Sequence, residues 1–473
     1  MEVQQLLQDT FVQNWRFSGL IFRSGNHLKL AHLERVATMD AAVIVLPSAR
    51  EDAGLDSTVD GGTFKSLLTI GNWAKRESRR PPLAVAEILD HRKSDIAQVA
   101  YGGPLEIIPS DLYLSRLMAQ ILRHPGSSEV FSELLSEDIG NELYLKDSGT
   151  LIGQPFSHTF GALKTAIPIG IVSQGPQGFF CTLVPEPDHI LCENDKVVVI
   201  AEDDIKSQLS EVDELKPIGP LRPPIQSTEK KLRNILILGW NRRVPLILNE
   251  FECYSRGKTT LTVLSRTPLE ARLERQSHMG LDFKSVQVSH ILGDYTSTTE
   301  LKTYQPGSFD AIVLVASDWS DTDALTDART ILGYLVLMEL LDKHRVSRPA
   351  ILVELLDASN QDLFSQENCE VIVSPLIVSH FLSQVALRRE LNTVFENLFC
   401  PEGAEVTIVP ATSILGSTLT TSLEQVQEIL FGQGGISLGF RIHEKRQIKT
   451  VLNPPRKQEF QLEINDKIII LFR

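Results

Sequence analysis

The sequence predicts an α/β protein built as two tandem, doubly wound parallel sheets, each followed by a small α+β lobe, with the first copy lacking its opening β-α-β. Three observations carry this expectation. Short apolar runs of strand length alternate with amphipathic stretches of helix length, which is the pattern of right-handed crossovers feeding a parallel sheet. Segments of the first half return in the second half in the same order, about 270 residues later. A complete opening strand, Arg233-Asn-Ile-Leu-Ile-Leu-Gly-Trp-Asn-Arg-Arg243, stands only at the head of the second copy.

The elements follow in order. Met1 to about Trp15 places Val3, Leu6, Leu7, Phe11 and Val12 on one helical face. Gly19 to Phe22 reads as a short strand, 32–36 as a helix and Ala41 to Leu46 as a buried strand ended by Pro47-Ser48. A helix is expected over Asp60 to Trp73, strands over Leu83 to Ile88 and Leu105 to Ile108, and a long amphipathic helix over Asp111 to Leu122. From Glu129 the texture becomes acidic and glycine-broken, with short strands at 166–172, 179–184 and 196–200. Residues 202–231 are charged and carry Pro217, Pro220, Pro223 and Pro224, the composition of a linker. The expected division is 1–128 and 129–205 for the sheet and lobe of copy one, 206–231 for the linker, and 232–393 and 394–473 for copy two.

The repeat is read from several matches. Pro82-Leu-Ala-Val-Ala-Glu-Ile-Leu-Asp90 returns as Pro349-Ala-Ile-Leu-Val-Glu-Leu-Leu-Asp357, and Met39 to Leu46 as Phe309 to Val315. Leu105 to Ser110 returns as Glu370 to Pro375, and Glu193-Asn-Asp-Lys-Val-Val-Val-Ile200 as Ile464-Asn-Asp-Lys-Ile-Ile-Ile-Leu471. On this offset Met1 falls opposite Leu269 or Glu270, so copy one has no counterpart of 234–266.

Composition narrows the function. A formal charge of -14 with no basic stripe argues against a nucleic-acid surface. Five scattered cysteines without a CxxC spacing fit a reducing compartment, where they read as small buried apolar residues. No run approaches the ~20 apolar residues that span a bilayer, and no signal peptide opens the chain. There is no GxSxG, HExxH or P-loop, so the chain is expected not to be an enzyme. His27, His32, His290 and His380 read as surface or capping residues.

The candidate binding residues lie in loops at strand C-termini, where doubly wound folds place ligands. The loop Gly239-Trp240-Asn241-Arg242-Arg243 has one glycine where a dinucleotide fingerprint needs three, and the next strand ends in Ser265-Arg266 without a ribose-binding carboxylate. NAD is therefore disfavoured, while Gly239, Trp240, Arg242 and Arg243 remain candidates for an anion or nucleotide at a helix N-terminus, against a solvated or interdomain arginine pair. Asp318, Asp321 and Asp323, with Asp327 behind them, and Asp52 and Asp56 of copy one, with Glu51 and Asp60, offer oxygen ligands suited to calcium, without EF-hand spacing. Helix capping is the competing reading for these carboxylates, and for Glu87, Asp90, Glu354 and Asp357 at strand ends.

Arg23-Ser-Gly, Leu236-Ile-Leu-Gly-Trp-Asn-Arg-Arg243 and Glu193-Asn-Asp-Lys-Val-Val-Val-Ile-Ala-Glu-Asp203, with the order of elements over nearly all residues, resemble the cytoplasmic regulatory region of CASTOR/POLLUX-type ion channels of plants and their bacterial relatives. The resemblance implies tandem Rossmann-like domains of the kind that regulates potassium conductance (RCK, TrkA-type). It implies a tetrameric, homo-oligomeric gating ring on the cytoplasmic face of a membrane, below a pore domain encoded upstream or on a separate chain, with calcium as a candidate ligand. The function it implies is ligand sensing for a cation channel, potassium-selective or calcium-linked. The alternative is a soluble nucleotide- or metabolite-sensing TrkA-like subunit of a separate transporter; an oxidoreductase is poor for want of the glycine set. Apolar faces over 112–122 and 376–387 are the expected assembly surfaces.

Overall fold

In the computed structural model, which describes residues 19–48, 59–136, 140–176, 178–208, 232–254, 259–317, 322–344, 348–364, 369–416, 419–444 and 447–473, the chain divides into two units, Met1–Ile107 and Ile108–Arg473. The expected helix over 1–15 lies outside the described residues.

The first unit runs α1 (Leu30–Glu34), β1 (Val43–Leu46), α2 (Gly61–Arg76), β2 (Leu83–Glu87), α3 (Ser94–Tyr101) and β3 (Leu105–Ile108), the three strands forming one sheet in the order β1-β2-β3. Leu67, Ile70, Ala84, Ala86, Ile88, Ala97 and Tyr101 make its core, all fully buried. Helix α2 approaches α3 so closely that a Cβ on Gly71 would sit 2.4 Å from the Tyr101 carbonyl oxygen, which only glycine permits. Residues 19–22, expected as a strand, form none, and Leu20, Ile21 and Phe22 are exposed. A strand is held by its neighbours, and no neighbour for this segment occurs among the described residues.

The second unit opens with α4 (Ser110–Arg123) and α5 (Ser127–Leu135), two helices that the sequence groups with the first sheet. A lobe follows, with β4 (Glu142–Asp147), α6 (His158–Ala162), β5 (Ile167–Gly175), β6 (Gly178–Leu183) and β7 (Asp195–Ala201). The complete doubly wound sheet then comes as β8 (Asn234–Leu238), α7 (Val244–Tyr254), β9 (Thr259–Ser265), α8 (Leu269–His278), β10 (Val286–Leu292), α9 (Thr298–Thr303), β11 (Ala311–Leu314), α10 (Asp323–His344), β12 (Ala350–Leu355) and β13 (Cys369–Val373). Helices α11 (Ser374–Leu387) and α12 (Leu391–Leu398) lead into the last lobe, β14 (Glu405–Pro410), α13 (Ala411–Leu415), α14 (Leu423–Leu430), β15 (Gly435–Glu444), β16 (Gln447–Leu452) and β17 (Lys467–Phe472).

The six-stranded order is β10-β9-β8-β11-β12-β13, with the switch point between β8 and β11. Strand β11 pairs in parallel with both β8 and β12 and is fully buried, whereas its counterpart β1 pairs with β2 and leaves Val45 43% exposed. The two lobes share one antiparallel order, β4-β7-β5-β6 and β14-β17-β15-β16. Each carries a bulge at the same place, ending at Gly170 and Gly439, where a Cβ would press on the Thr182 and Val451 carbonyls.

The duplication extends to side-chain bonds. Asp60 accepts from the Leu89 and Asp90 amides (2.7 and 3.0 Å), and Asp327 from the Leu356 and Asp357 amides (both 2.9 Å), 267 residues on. Glu87 accepts from the Ser48 amide and Glu354 from the Ala316 amide (2.8 and 3.1 Å). In the Asn-Asp-Lys motif, Asp195 and Asp466 accept from the amide three residues earlier, Cys192 and Glu463 (2.8 and 2.7 Å), fixing the turn into the last strand of each lobe.

Helix pair α4–α5 interlocks with pair α11–α12. Phe381 meets Tyr113 edge-on at 5.5 Å and Phe395 at 4.9 Å, while Phe399 lies 5.7 Å from Tyr113 and 5.8 Å from Phe131. The Gln384 amide donates to the Leu135 carbonyl in the buried seam (2.8 Å). The apolar faces expected to serve assembly between chains are thus used within this one. Of the cysteines, all free, Cys181 and Cys369 are half-buried with thiols that burial pushes up to about 12, and Cys400 is half-buried. Cys192 and Cys253 are exposed, so those two are not the buried apolar residues the sequence suggested.

Candidate functional site

The site is built on the C-terminal edge of the six-stranded sheet. Buried β8 ends at Gly239, whose φ of 102° and close approach to Val315 O and Ser317 Oγ (2.9 and 2.8 Å from a would-be Cβ) exclude a side chain. Trp240 turns inward, 5% exposed, with its ring edge-on to His290 at 5.8 Å. The Arg272 guanidinium lies 5.8 Å from that ring. Arg272 is fully buried and donates to carbonyls at the ends of β9 and β10, including Thr267 O at 2.7 Å and Ile291 O at 3.1 Å. Burial lowers its pKa, and burial together with the Arg272 charge lowers that of His290. His290 is therefore a packed residue, not the surface or capping residue the sequence suggested.

The turn itself is locked by a buried network. Asn241 is fully buried; its amide donates to Ala316 O (2.8 Å) and Glu354 Oε2 (2.9 Å), and its carbonyl oxygen accepts from the Arg243 backbone N–H (3.0 Å). Glu354, also fully buried, accepts in addition from the Ser374 hydroxyl and the Arg243 guanidinium. Arg243 Nη1 reaches Asp111 Oδ1 at 3.3 Å, Arg242 Nε lies 3.6 Å from Asp111 Oδ2, and the Arg243 carbonyl accepts from Ser115 (3.3 Å). The α7 N-terminus, where a doubly wound fold would receive a phosphate, thus faces the Asp111 carboxylate carried by α4. Both arginines singled out as anion ligands are engaged there, by carboxylates of this chain.

Three further carboxylates of copy two hold α4 and the turn after it. Glu405 takes a bidentate pair from Arg123 (both 2.8 Å), with His124 at 3.5 Å and the Arg123 guanidinium 3.6 Å from the Tyr254 ring centroid. Burial alone would raise the Glu405 pKa; hydrogen bonds from His124 and Arg123, and their charges, outweigh it and bring it down to about 2. Glu250 pairs with Arg116 at 3.2 Å, and burial still leaves its pKa raised. Glu370 accepts from the Gly126 and Ser128 amides and the Ser128 hydroxyl, and its burial likewise raises it.

Of the candidate calcium ligands, Asp318, Asp321, Asp52 and Asp56, like Glu51, lie outside the described residues. Asp323 is exposed in the first turn of α10. Asp60 and Asp327 are turned inward on backbone amides, and Asp90 and Asp357 cap the turns after their strands, accepting from the Arg92 and Ser359 amides (3.3 and 2.9 Å). Among the described residues no group of three or more His, Cys, Asp or Glu is arranged to hold a metal ion. The network residues Asn241, Asp111, Ser374 and Glu405 were not foreseen. Asp111 and Arg243 are 132 residues apart and Arg123 and Glu405 282, so no local spacing signals them.

Comparisons with known proteins bear on this architecture. The family model described as "Castor and Pollux, part of voltage-gated ion channel" matches residues 111–216. The probable ion channel POLLUX of Oryza sativa subsp. japonica is 23% identical over 96% of this chain and 49% of its own length. The probable ion channel CASTOR of the same plant is 25% identical over 93% of this chain and 52% of its own. The chain therefore spans about half the length of these relatives. Among solved structures, the human SLO3 gating ring superposes with a TM-score of 0.69 at 14% identity, covering 95% of this chain and 91% of that one, a likeness of fold. With two copies of one sheet-and-lobe unit, matched over nearly all its residues, the chain is a homologue of the CASTOR/POLLUX-type ion channels, built on the fold of a gating ring.

Proposed function

We propose that this chain is the ligand-sensing gating-ring region of a cation channel, acting at the cytoplasmic face of a membrane and converting ligand occupancy into a rearrangement of lobes and interfaces that opens a pore. The observation that carries the reading is the wiring of the Gly239 turn to α4 through Arg242, Arg243 and Asp111. A change at the ligand-bearing edge of the second sheet is felt directly by a helix of the other copy. A ligand shifts such an equilibrium only by its differential affinity for the two arrangements, and a bistable packed interface supplies them. Calcium, at the acidic loop around Asp318, Asp321 and Asp323, is the proposed effector; NAD is not. No helix among the described residues is long and apolar enough to cross a membrane, so the pore is assigned to other sequence.

The test is hydrogen exchange of the chain with and without millimolar calcium, beside solution mass by light scattering. The reading expects an oligomer in which calcium alters exchange in α4 and in the 239–243 turn, and in which Asp111→Asn weakens that response. A monomer indifferent to calcium and to nucleotides overturns it.

A further inference from the structure

The internal repeat supplies a control for sites in the second copy. Around the turn that precedes β11 the two copies keep one backbone. The Gln305, Ser308 and Phe309 amides donate to the Lys302, Gln305 and Pro306 carbonyls (3.1, 2.8 and 3.2 Å), and 268 residues earlier the Ala37, Asp40 and Ala41 amides donate to the Glu34, Ala37 and Thr38 carbonyls (3.0, 2.9 and 3.3 Å). Gln305 and Ala37 are both left-handed, with φ of 48° and 50°. Position by position, Lys302 therefore stands where copy one has Glu34, Gln305 where it has Ala37, and Gly307 where it has Met39. Helix α10 follows at the offset of 267 that Asp60 and Asp327 set, which puts Leu340 in the place of Trp73 and Leu341 in that of Ala74.

The side chains differ, and so does the space. In copy one Met39 and Trp73, 5% and 9% exposed, pack in one core cluster with Leu33 and occupy the corner between turn and helix. In copy two, with Gly307 and Leu340 in their places, the corner is a cavity of about 420 Å³. Its floor is Pro306, Leu340 and Leu341, all buried, and its rim is Lys302, Gln305 and Ser308, all exposed. The backbone does not demand the glycine: a Cβ on Gly307 would meet Leu341 Cδ2 at an ordinary 3.7 Å. At the rim the Ser308 hydroxyl is committed to the Gln305 carbonyl (2.8 Å). The Lys302 ammonium makes no ion pair among the described residues, so it and the Gln305 side-chain amide are the donors the rim offers. Copy one, with Glu34 and Ala37, offers neither.

We infer that this corner is a binding site for a small amphipathic monoanion, a medium-chain carboxylate. A concave site of this size, apolar with a few polar groups at one end, is of small-molecule scale. The hydrocarbon lies on Pro306, Leu340 and Leu341 in the volume that Met39 and Trp73 take up in copy one. The carboxylate accepts from Lys302 and Gln305, a charge-assisted pair of bonds in which one cation matches one negative charge. The cavity lies at the N-terminal edge of β11, whereas the Gly239 turn follows the C-terminal end of its parallel neighbour β8. The two sites are at opposite edges of the sheet, and this one stands whether or not the ring reading does.

The experiment is calorimetric titration of the whole chain with decanoate, kept below its micellar concentration. Acetate serves as a head group without a body, and decyltrimethylammonium as the same body with the opposite charge. Wild type is expected to take up one equivalent of decanoate with a dissociation constant below about 1 mM, and neither control in that range. Lys302→Glu, which installs the copy-one residue, should weaken uptake by about tenfold or more. Gly307→Met with Leu340→Trp, the copy-one filling, should abolish it while the urea midpoint stays at or above that of wild type. No saturable uptake of decanoate by wild type, equal uptake of decyltrimethylammonium, or uptake that both variants leave unchanged overturns the site. If the filled variant proves destabilised, Lys302→Glu decides alone, since an exposed side chain can be exchanged without loss of the fold.

Discussion

Glu354 carries the largest concentration of bonds in the candidate site, accepting from Ala316, Asn241, Ser374 and Arg243 while fully buried. Glu354→Leu takes one carboxylate from Arg243, which keeps Asp111, and removes the acceptor of three further donors, and removal of one partner of a buried pair costs about 3–5 kcal/mol; urea denaturation should show a midpoint shifted accordingly. Glu405 makes a pH-dependent contribution. Its folded pKa of about 2 lies below the ordinary 4.5, so its stabilisation is complete above pH 4.5 and is lost as pH falls from there toward 2. The shift corresponds to roughly 3 kcal/mol. The stability difference between wild type and Glu405→Gln should shrink across that window. Glu370 and Glu250 have the opposite sign: with raised folded values they cost stability at neutral pH and recover it as they protonate, so acid unfolding of the whole chain is less steep than Glu405 alone implies. The sequence displayed the Gly239 turn and its arginines but not their partners. Asn241, Asp111 and Glu405 look like ordinary surface residues until the chain brings them to a buried cation.

At the scale of elements, the interlock of α4–α5 with α11–α12 is the seam to perturb. Phe381 is fully buried against Tyr113, Phe395 and Phe399. Phe381→Ala should cost about 3–5 kcal/mol in thermal or chemical denaturation, and should speed amide exchange in α4 as well as in α11. The paired strands β1 and β11 give a second comparison. Amides of Val43–Leu46, with one strand neighbour among the described residues, should exchange faster than those of Ala311–Leu314, with two; equal protection would contradict the pairing described. Strand and helix positions were legible because apolar periodicity and glycine punctuation are local: 105–108 is a strand as expected, and the helices expected over 60–73 and 111–122 appear as Gly61–Arg76 and Ser110–Arg123. The segment 19–22 was misread for a physical reason. Its Leu-Ile-Phe is a good strand sequence, but a strand forms only against a partner.

At the scale of the molecule, duplication is the dominant fact. It places Asp60 and Asp327, Gly170 and Gly439, and Asp195 and Asp466 in matching roles. NAD(H) calorimetry provides a check on the site as a whole. With Asp111 at the α7 N-terminus and no ribose-binding carboxylate after β9, titration of NAD(H) into wild type should give no saturable heat up to about 1 mM, an affinity weaker than roughly 4 kcal/mol of binding free energy. Submillimolar binding would return the Gly239 turn to the dinucleotide class.

The sequence by itself determined the class of fold, the repeat and its offset, and the family resemblance, because each is written in local periodicity or in words that recur along the chain. Only the tertiary structure decided what the candidate residues touch. It turned the arginine pair toward Asp111, assigned the strand-end carboxylates to backbone amides, and drew the α4 and α11 faces into an internal seam. Those outcomes depend on burial and on contacts between residues more than 100 positions apart, and neither is encoded in the spacing of neighbours.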